Sequence, residues 1–298
     1  MPELPDIVVY IEALETRVVG EVLRRFRVTA PQLLRTYDPP MSAVEGQSVR
    51  ALRRIGKRIV FEFDEELFLV VHLMISGRLA WAKPGAVIPR KVGLAALDFE
   101  AGTLLLREAA TKKRAGVWIV RGEEGLAEHD RGGVEPLDVD LGGFADALTR
   151  ENRTLKRALT DPRIFSGIGN AYSDEILHAA QLSPVKRTSG LAGDEIERLF
   201  TATQRMLIEW TDRLREESAG GFPDKGVTAF RVDMAVHGKY GQPCPVCGSK
   251  VQRIVYAANE TNYCATCQTG GKLLADRSLS RLLKGDWPKT LEELEERE

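Results

Sequence analysis

The chain has 298 residues, of which 43% are hydrophobic, and a formal net charge of −1. This length and hydrophobic content suffice for one large domain or two smaller ones with packed cores. No apolar run approaches the roughly 20 residues that span a bilayer, and the N-terminus lacks the basic and apolar regions of a signal peptide. We therefore expect a cytoplasmic protein that does not act in a membrane.

The first predicted element is an amphipathic helix near the N-terminus. Apolar residues recur at helical spacing from Ile7 to Val19, and Gly20 follows as a helix stop. Short β-like runs come next, joined by turns rich in Gly, Pro and Asp, which predicts an antiparallel sandwich or barrel. These runs are VLRRFRV, SVRAL, RIVFEF, LFLVVHL, GRLAWA, LAALDF and TLLLRE.

The second half of the chain has a helical pattern. The stretch GEEGLAEHDRGGVEPLDVDLGG interrupts the strands, and we predict a linker at residues 135–148. Helical periodicity follows in ADALTRENRTLKRALTD and AYSDEILHAAQL, and again over Asp194–Glu217. The predicted organisation is a β-rich domain, a helical domain, a cysteine region and a C-terminal extension with a surface helix. Their bounds are 1–134, 149–235, 236–270 and 271–298.

Charge is distributed unevenly along the chain. Basic residues cluster within 53–58 and 112–114, whereas the chain ends in the acidic stretch LEELEERE. The near-zero net charge argues weakly against a polyanionic partner, but the local clusters reopen that question. A single cluster is more often a solvated surface than a binding site, so composition alone does not decide between them.

All four cysteines lie in one segment near the C-terminus. Cys-x₂-Cys, sixteen intervening residues and a second Cys-x₂-Cys form the spacing, with Cys244, Cys247, Cys264 and Cys267 as the ligands. Two such knuckles can close a tetrahedral zinc site on a β-hairpin. Disulfides are the alternative, which is disfavoured in a cytosolic chain. Because four protein ligands leave no open position, we expect one structural zinc. The four histidines do not have ligand spacing.

A glycine-bearing loop precedes one predicted helix. Gly167 and Gly169 come directly before Asn170, which can cap the helix that starts near Ala171. Exposed amides at such a helix start suit a phosphate oxygen, although an ordinary capped helix explains the pattern equally well. Lys156, upstream in the chain, is a candidate phosphate contact.

Three separated stretches match one family in the family's own order. They are MPELPD, SGIGNAYSDEIL and the four-cysteine hairpin. Together they resemble the bacterial formamidopyrimidine-DNA glycosylase and endonuclease VIII family, and the likeness extends from Met1 to about Gln268 through GKRIVFEF and HLMISGRL. The resemblance implies a two-domain α+β fold. An N-terminal helix lies on an antiparallel β-sandwich, and a helix–two-turn–helix domain with a C-terminal four-cysteine zinc finger follows.

The resemblance also implies a chemistry for the N-terminus. Removal of Met1 would expose the secondary amine of Pro2, which in the family attacks C1′ of a damaged nucleotide, expels the base and forms a Schiff base. Strand cleavage by β,δ-elimination follows. An α-amine with a pKa near about 8 is partly neutral at neutral pH, which suits a nucleophile. By resemblance Glu3 moves protons at the sugar, and Lys57 contacts phosphate and assists at the lesion.

The resemblance also supplies candidate DNA contacts in the first domain, where the chain departs from the family. The family's void-filling methionine aligns with Ile75, and Met74 is adjacent. Lys113, followed by Arg114, falls at a base-contacting arginine. Ala115 falls at a wedge phenylalanine. A missing wedge predicts a preference for abasic sites and distorted DNA, because an intact stack is harder to open.

Further contacts are implied in the second half. Lys156 and Asn170 are expected to bind phosphates. The family's phosphate-clamping arginine of the zinc hairpin falls at Asn259, although Arg253 lies in the same hairpin. The family's second glutamate near the N-terminus is Asp6. Because of these departures, the sequence does not identify which damaged base is removed or which base is preferred on the opposite strand.

The favoured function is a DNA glycosylase with AP-lyase activity in base-excision repair. Its partner would be double-stranded DNA with a damaged base or an abasic site, its metal one structural zinc, and it would need no organic cofactor. We expect a monomer in the bacterial cytoplasm, associated with the nucleoid. Two alternatives remain, a non-catalytic binder of damaged or distorted DNA on the same fold and a zinc-ribbon adaptor for RNA or protein. The presence of Pro2, Glu3 and Lys57 favours the enzyme.

Overall fold

The computed structural model describes residues 1–223, 231–256, 259–275 and 288–296. The chain forms two units, one of Met1–Arg131 with Glu209–Thr228 and the other of Gly132–Ile208 with Ala229–Glu298. Among the described residues, no helix has both the length and the hydropathy that a membrane span requires.

The first unit begins with helix α1, Leu4–Val18. The helix starts three residues before the predicted Ile7, because Glu3 and Asp6 cap its first turn. Its apolar face, which includes Tyr10 and Leu14, joins the core of the β-sandwich. At roughly 25 cal/mol per Å² of apolar surface, this burial rather than helix propensity holds α1 in place.

Eight strands form two antiparallel four-stranded sheets, with orders β1-β6-β7-β5 and β2-β3-β4-β8. The strands are β1 Arg25–Val28, β2 Ala51–Ile55, β3 Arg58–Glu62, β4 Leu67–His72, β5 Gly77–Ala82, β6 Gly93–Asp98, β7 Thr103–Glu108 and β8 Gly116–Arg121. Phe26, Phe61, Leu106 and Ile119 are among the side chains that fill one core. The antiparallel sandwich is confirmed, and β8 is a strand that the sequence analysis did not identify.

Short helical elements accompany these strands. The 3₁₀ turns are Pro31–Leu33, Met41–Val44, Asp64–Glu66 and, in the second unit, Thr188–Gly190. Helix α2, Gly122–Ala127, follows β8 and buries Leu126 against the outer face of the second sheet. These elements close the first unit before the chain enters the helical region.

Helices and one hairpin form the second unit. The elements are α3 Leu141–Thr149, α4 Leu155–Thr160, α5 Asn170–Ala179, α6 Gly193–Ser218, β9 Gln252–Tyr256, β10 Asn259–Tyr263, α7 Ala265–Thr269 and α8 Leu291–Glu295. Helix α6 matches the predicted span and contributes residues to both units. The predicted helix of the C-terminal extension falls largely on 276–287, outside the described residues.

The segment predicted to be a linker, 135–148, contains most of helix α3. Asp140 caps this helix by accepting the amide of Gly143 at 2.8 Å. Phe144 packs against Phe165 and Phe200, with ring centroids 4.7 and 5.4 Å apart. The segment is therefore a packed part of the second unit. Its glycines obscured a capped helix in the sequence pattern.

Candidate active site

The N-terminus lies in a partly buried and charged environment at the start of α1. The α-amine in the structure belongs to Met1, and its pKa is lowered from 8.0, chiefly because burial disfavours the charged form. Arg78 and Lys57 lower this pKa further, whereas the carboxylates of Glu3 and Asp6 act in the opposite direction. A lowered pKa leaves more of the amine neutral, and therefore nucleophilic, at neutral pH.

Capping of α1 fixes the position of Pro2. The backbone amide of Glu3 donates to the Asp6 carboxylate at 2.8 Å, and the Glu3 carboxylate accepts the backbone amide of Asp6. This reciprocal pair satisfies two amides at the helix start, and Pro5 stiffens the first turn. Pro2 and Glu3 are both buried. The stiff stretch MPELPD thus sets the direction in which the N-terminus leaves the helix.

Lys57 occupies the tight turn between β2 and β3. Ile55 pairs with Arg58 across this turn, and Gly56 has the positive φ of 58° that a two-residue hairpin favours. Burial lowers the pKa of Lys57, the Glu3 carboxylate raises it and Arg58 lowers it. The structure therefore places Lys57 and Glu3 around the N-terminal amine.

Arg78 is a further charge near the amine that the sequence analysis missed. It is the second residue of β5, and its Nη1 donates to the carbonyl of Gly77 at 2.6 Å. The signal was present in the stretch HLMISGRL, which we used only for its likeness to the family. Two cations, Arg78 and Lys57, thus act on the amine, an arrangement suited to a DNA phosphate.

The turn between β4 and β5 separates the roles of two neighbouring candidates. Leu73 and Gly77 close the turn with a 2.9 Å backbone hydrogen bond. Met74 has a φ of 54°, a strained value for a non-glycine residue, and its sulfur contacts the His72 ring. Ile75 at the tip is 51% exposed. Ile75, rather than Met74, is therefore the side chain that this turn presents to solvent.

His72 at the end of β4 stays neutral. Burial lowers its pKa to about 3, and positive charge on Arg58 and Lys57 adds to the effect. An uncharged imidazole leaves the cations of this region to be balanced by carboxylates and by any bound phosphate.

In the second unit, Asn170 has a different role from the predicted cap. The N-cap of α5 is Gly169, and Asn170 is the first helical residue. Its Nδ2 donates to the carbonyl of Glu260 in β10 at 2.8 Å. The expectation that Asn170 caps α5 is therefore wrong. Gly169 occupies the N-cap position, and the side-chain amide of Asn170 binds the hairpin instead.

Lys156 lies beside this helix start. Its ammonium donates to the Asn170 carbonyl at 2.6 Å and to the Asp174 carboxylate at 2.5 Å. The Lys156 side chain is 13% exposed and that of Asp174 is fully buried. Lys156 is therefore a locked cation next to the start of α5.

Two buried acids of α5, which the sequence analysis missed, bind the zinc hairpin region. Asp174 accepts the ring nitrogen of His237 at 2.7 Å and the amide of Asn262 at 3.2 Å. Glu175 accepts three successive amides, those of 235–237, at 2.7–2.9 Å. Burial raises the pKa of Glu175, and these three hydrogen bonds oppose the shift. The local sequence does not distinguish these two acids from exposed helix acids.

The four cysteines form a metal site. Their Sγ atoms lie within 4.8 Å of one another, all four thiols are free, and Cys247–Cys264 and Cys244–Cys267 are 3.4 and 3.9 Å apart. Zn–S bonds of about 2.3 Å in a tetrahedron place sulfurs about 3.8 Å apart, so the cluster fits zinc. The site holds one structural zinc. His178 Nε2 lies 3.3 Å from Cys244 Sγ.

The hairpin carries one candidate phosphate contact whose side chain is described. The Arg253 guanidinium lies 4.2 Å from the centroid of the Tyr240 ring and 3.3 Å from the Glu260 carboxylate. Asn259 pairs with Tyr256 at the end of the hairpin, but its side chain is outside the described part of the chain.

Three stretches of the chain match parts of formamidopyrimidine-DNA glycosylases. Residues 1–114 match the N-terminal domain, 133–213 the helix–two-turn–helix domain, and 241–270 the zinc finger found in these enzymes and in IleRS. A formamidopyrimidine-DNA glycosylase of Thermus thermophilus is 32% identical over 278 residues, covering 91% of this chain and 100% of that protein. The chain belongs to the formamidopyrimidine-DNA glycosylase family.

Two further comparisons agree with this membership. An uncharacterized formamidopyrimidine-DNA glycosylase-like protein of Mycobacterium tuberculosis is 40% identical over 152 residues, covering 51% of this chain and 94% of that protein. Among solved structures, the complex between the Lactococcus lactis Fpg and an abasic site containing DNA has a TM-score of 0.79 at 25% identity, covering 90% of this chain and 99% of that one.

Within this glycosylase family, the loop before β8 corrects one sequence-based expectation. Ala115 is 2% exposed and belongs to the sandwich core, so it is not a shortened wedge at the surface. Lys113 is half-buried and its ammonium donates to the Glu108 carbonyl. Arg114 is the exposed cation next to Ala115. Aligning the motif placed Ala115 at the wedge, but its side chain packs inward.

Proposed function

We propose that this protein is a bifunctional DNA glycosylase and AP lyase that removes damaged bases through the Pro2 amine. Family membership supports the coarser statement, a DNA glycosylase for damaged bases. The observation that supports the lyase activity and the amine nucleophile is the lowered pKa of the N-terminal amine beside Glu3 and Lys57. After removal of Met1, the same surroundings would act on Pro2.

In this mechanism the Pro2 nitrogen forms a bond to C1′ while the glycosidic bond breaks and the base leaves with a proton. The C1′–O4′ bond then breaks, O4′ takes up a proton, and the nitrogen lone pair forms an iminium that acidifies the C2′ hydrogens. Loss of a C2′ proton expels the 3′ phosphate, and a second elimination expels the 5′ phosphate. Glu3, buried next to the amine, is the candidate for moving protons at the sugar. Lys57 and Arg78 stabilise the phosphate charge.

We propose DNA contacts in each of the two units and a monomeric enzyme. Ile75 fills the space left by the everted nucleotide, and Arg114 is the exposed cation beside it, whereas Lys113 holds the loop by donating to the Glu108 carbonyl. Lys156, Asn170 and the hairpin residues Arg253 and Asn259 bind phosphates. The Lactococcus lactis enzyme was crystallised with abasic-site DNA, which supports abasic duplex as a ligand here.

Borohydride trapping on an abasic duplex tests the function. We expect a covalent protein–DNA adduct from protein carrying a C-terminal tag, because only a Schiff base is reduced to a stable amine. The matched control is the same protein with a retained N-terminal extension, which blocks the amine and should abolish the adduct. Efficient trapping by the extended protein would contradict the terminal-amine mechanism. Binding without trapping by the processed protein would favour the non-catalytic DNA binder.

A further inference from the structure

One buried carboxylate holds two loops of the first unit together. Glu108, the last residue of β7, is 1% exposed. One of its oxygens accepts the hydroxyl of Ser76 at 2.9 Å, and the other accepts the amides of Arg114 and Ala115 at 2.8 and 3.0 Å. The carboxylate therefore bridges the β4–β5 turn and the loop before β8.

Each of these loops presents an exposed side chain directly beside a residue that binds the anchor. Ile75, adjacent to Ser76, is 51% exposed, and Arg114 is exposed. Because Ser76 and Arg114 bind the two oxygens of one carboxyl group, their backbones are neighbours. Lys113 bends back onto the Glu108 carbonyl, so Arg114 is the exposed cation whose backbone is bonded directly to the anchor.

The two exposed side chains have complementary chemistry for an opened duplex. Extruding a nucleotide leaves a gap in the stack and an unpaired base on the other strand. An isoleucine can fill the gap with apolar surface. A guanidinium is planar, stacks on rings and donates hydrogen bonds to base edges. Both side chains must insert together, because the isoleucine replaces only the lost stacking and the guanidinium replaces only the lost base pairing.

We propose that Glu108 is a positioning residue that fixes Ile75 and Arg114 as one two-pronged element, with Ile75 in the gap and Arg114 on the unpaired base. The inference rests on the proposed function. The anchor acts on duplex opening and does not contact the amine. Its loss should therefore weaken binding to paired DNA and leave binding to already opened sites nearly unchanged.

The test uses duplexes with a non-cleavable tetrahydrofuran abasic analogue opposite 2-aminopurine, either fully paired around the site or inside a bubble. Ser76→Ala removes the bond from one loop only, and Glu108→Ala removes all three. Both variants should bind the paired duplex about tenfold or more weakly. They should also lose most of the change in 2-aminopurine fluorescence that binding of the native protein causes. Binding to the bubble should stay within about threefold of native. Arg114→Ala should lose the 2-aminopurine signal while retaining more affinity.

Rescue separates positioning from folding. Glu108→Gln keeps the shape and can still bond both loops, so it should restore the paired-duplex signal. Glu100→Gln, at an exposed carboxylate of the same unit, is the matched control. Equal loss on both duplexes, or no loss for Ser76→Ala, would overturn the inference. Ser76 is only half-buried, so this variant folds even if Glu108→Ala does not. Native protein that binds these probes but never cleaves a natural abasic bubble refutes the proposed function, not this inference.

Discussion

The two units hold their functional side chains by different means. In the first, the amine, Lys57 and Ile75 lie on loops and a helix end around the large apolar core of the sandwich. In the second, the apolar cluster beside the cysteines consists of Val236, Cys244, Val251 and Cys264, with two partly buried neighbours. Around this small cluster, buried ion pairs, helix-to-hairpin hydrogen bonds and zinc hold the hairpin to helix α5.

This difference predicts different responses to perturbation. A large apolar core distributes its free energy over many contacts, so single changes at its surface cost little. A buried polar network is sensitive at each member, because removing one partner leaves another charge or amide unsatisfied in a low dielectric. Mutations in the sandwich and mutations in the network around Asp174 should therefore differ in the size of their effects.

Zinc removal should give the largest effect and should act on one unit. Chelation, or Cys264→Ser, should weaken binding to abasic duplex by roughly a hundredfold or more, because folding of the hairpin depends on the metal. The unfolding transition of the sandwich, followed by the fluorescence of Trp81 and Trp118 in protein whose Trp210 and Trp287 are replaced by Phe, should remain. Zinc content is measured in parallel. Simultaneous loss of the tryptophan transition would show that the units are not independent.

Replacing Asp174 by Ala should come next in size. The change leaves Lys156 and His237 without their carboxylate, which costs about 3–5 kcal/mol for a broken buried pair. Hydrogen exchange of the hairpin amides and the rate of zinc release to a chelator measure this loss. Asp174→Asn should be milder, and Asp194→Ala at the exposed start of α6 is the control. Equal protection in Asp174→Ala and native protein would contradict the network.

Ala115→Phe should destabilise the first unit by about 1–3 kcal/mol, because the extra volume enters a packed core. It should not improve cleavage of a paired lesion. Arg114→Phe, one residue earlier and exposed, should change the unfolding free energy by less than about 0.5 kcal/mol. Urea denaturation compares the two variants. An unchanged midpoint for Ala115→Phe would mean that residue 115 faces solvent after all.

The smallest expected effect is a shift in pH dependence. The neutral amine is the reactive form, so the single-turnover rate on abasic DNA should rise with pH, with the midpoint of the rise below the ordinary amine value of 8.0. Arg78→Gln removes a cation that lowers this pKa, so the amine holds its proton to higher pH. The curve should therefore move to higher pH. Movement to lower pH would contradict the assignment.

Much of this organisation follows from local sequence. The period of α1, the strand alternation and the cysteine spacing each depend on residues close together in the chain, and all three were predicted correctly. Strand β8 was missed because its apolar run directly follows the basic residues Lys112 to Arg114, which the family motif assigned to DNA. The backbone amide of Ala115 is bonded to Glu108, and a motif alignment carries no information about that bond.

The site in the second unit was harder to predict for a related reason. Asn170 is a good capping residue, yet its amide binds a carbonyl that lies 90 positions later in the chain. Asp174 and Glu175 look like exposed helix acids until the hairpin amides are placed against them. Long-range partners of this kind decide the role of a polar side chain, and local patterns do not contain them.

The stacking of Arg253 on Tyr240 affects how much freedom is lost on binding. A free arginine samples many rotamers, and ordering such a side chain at an interface costs on the order of 1 kcal/mol. Here the ring and Glu260 already restrict the guanidinium. A phosphate that displaces Glu260 would bind a guanidinium whose side chain has already lost much of its rotamer entropy. The hairpin thus offers a pre-ordered cation, and its advantage should show in a less unfavourable binding entropy.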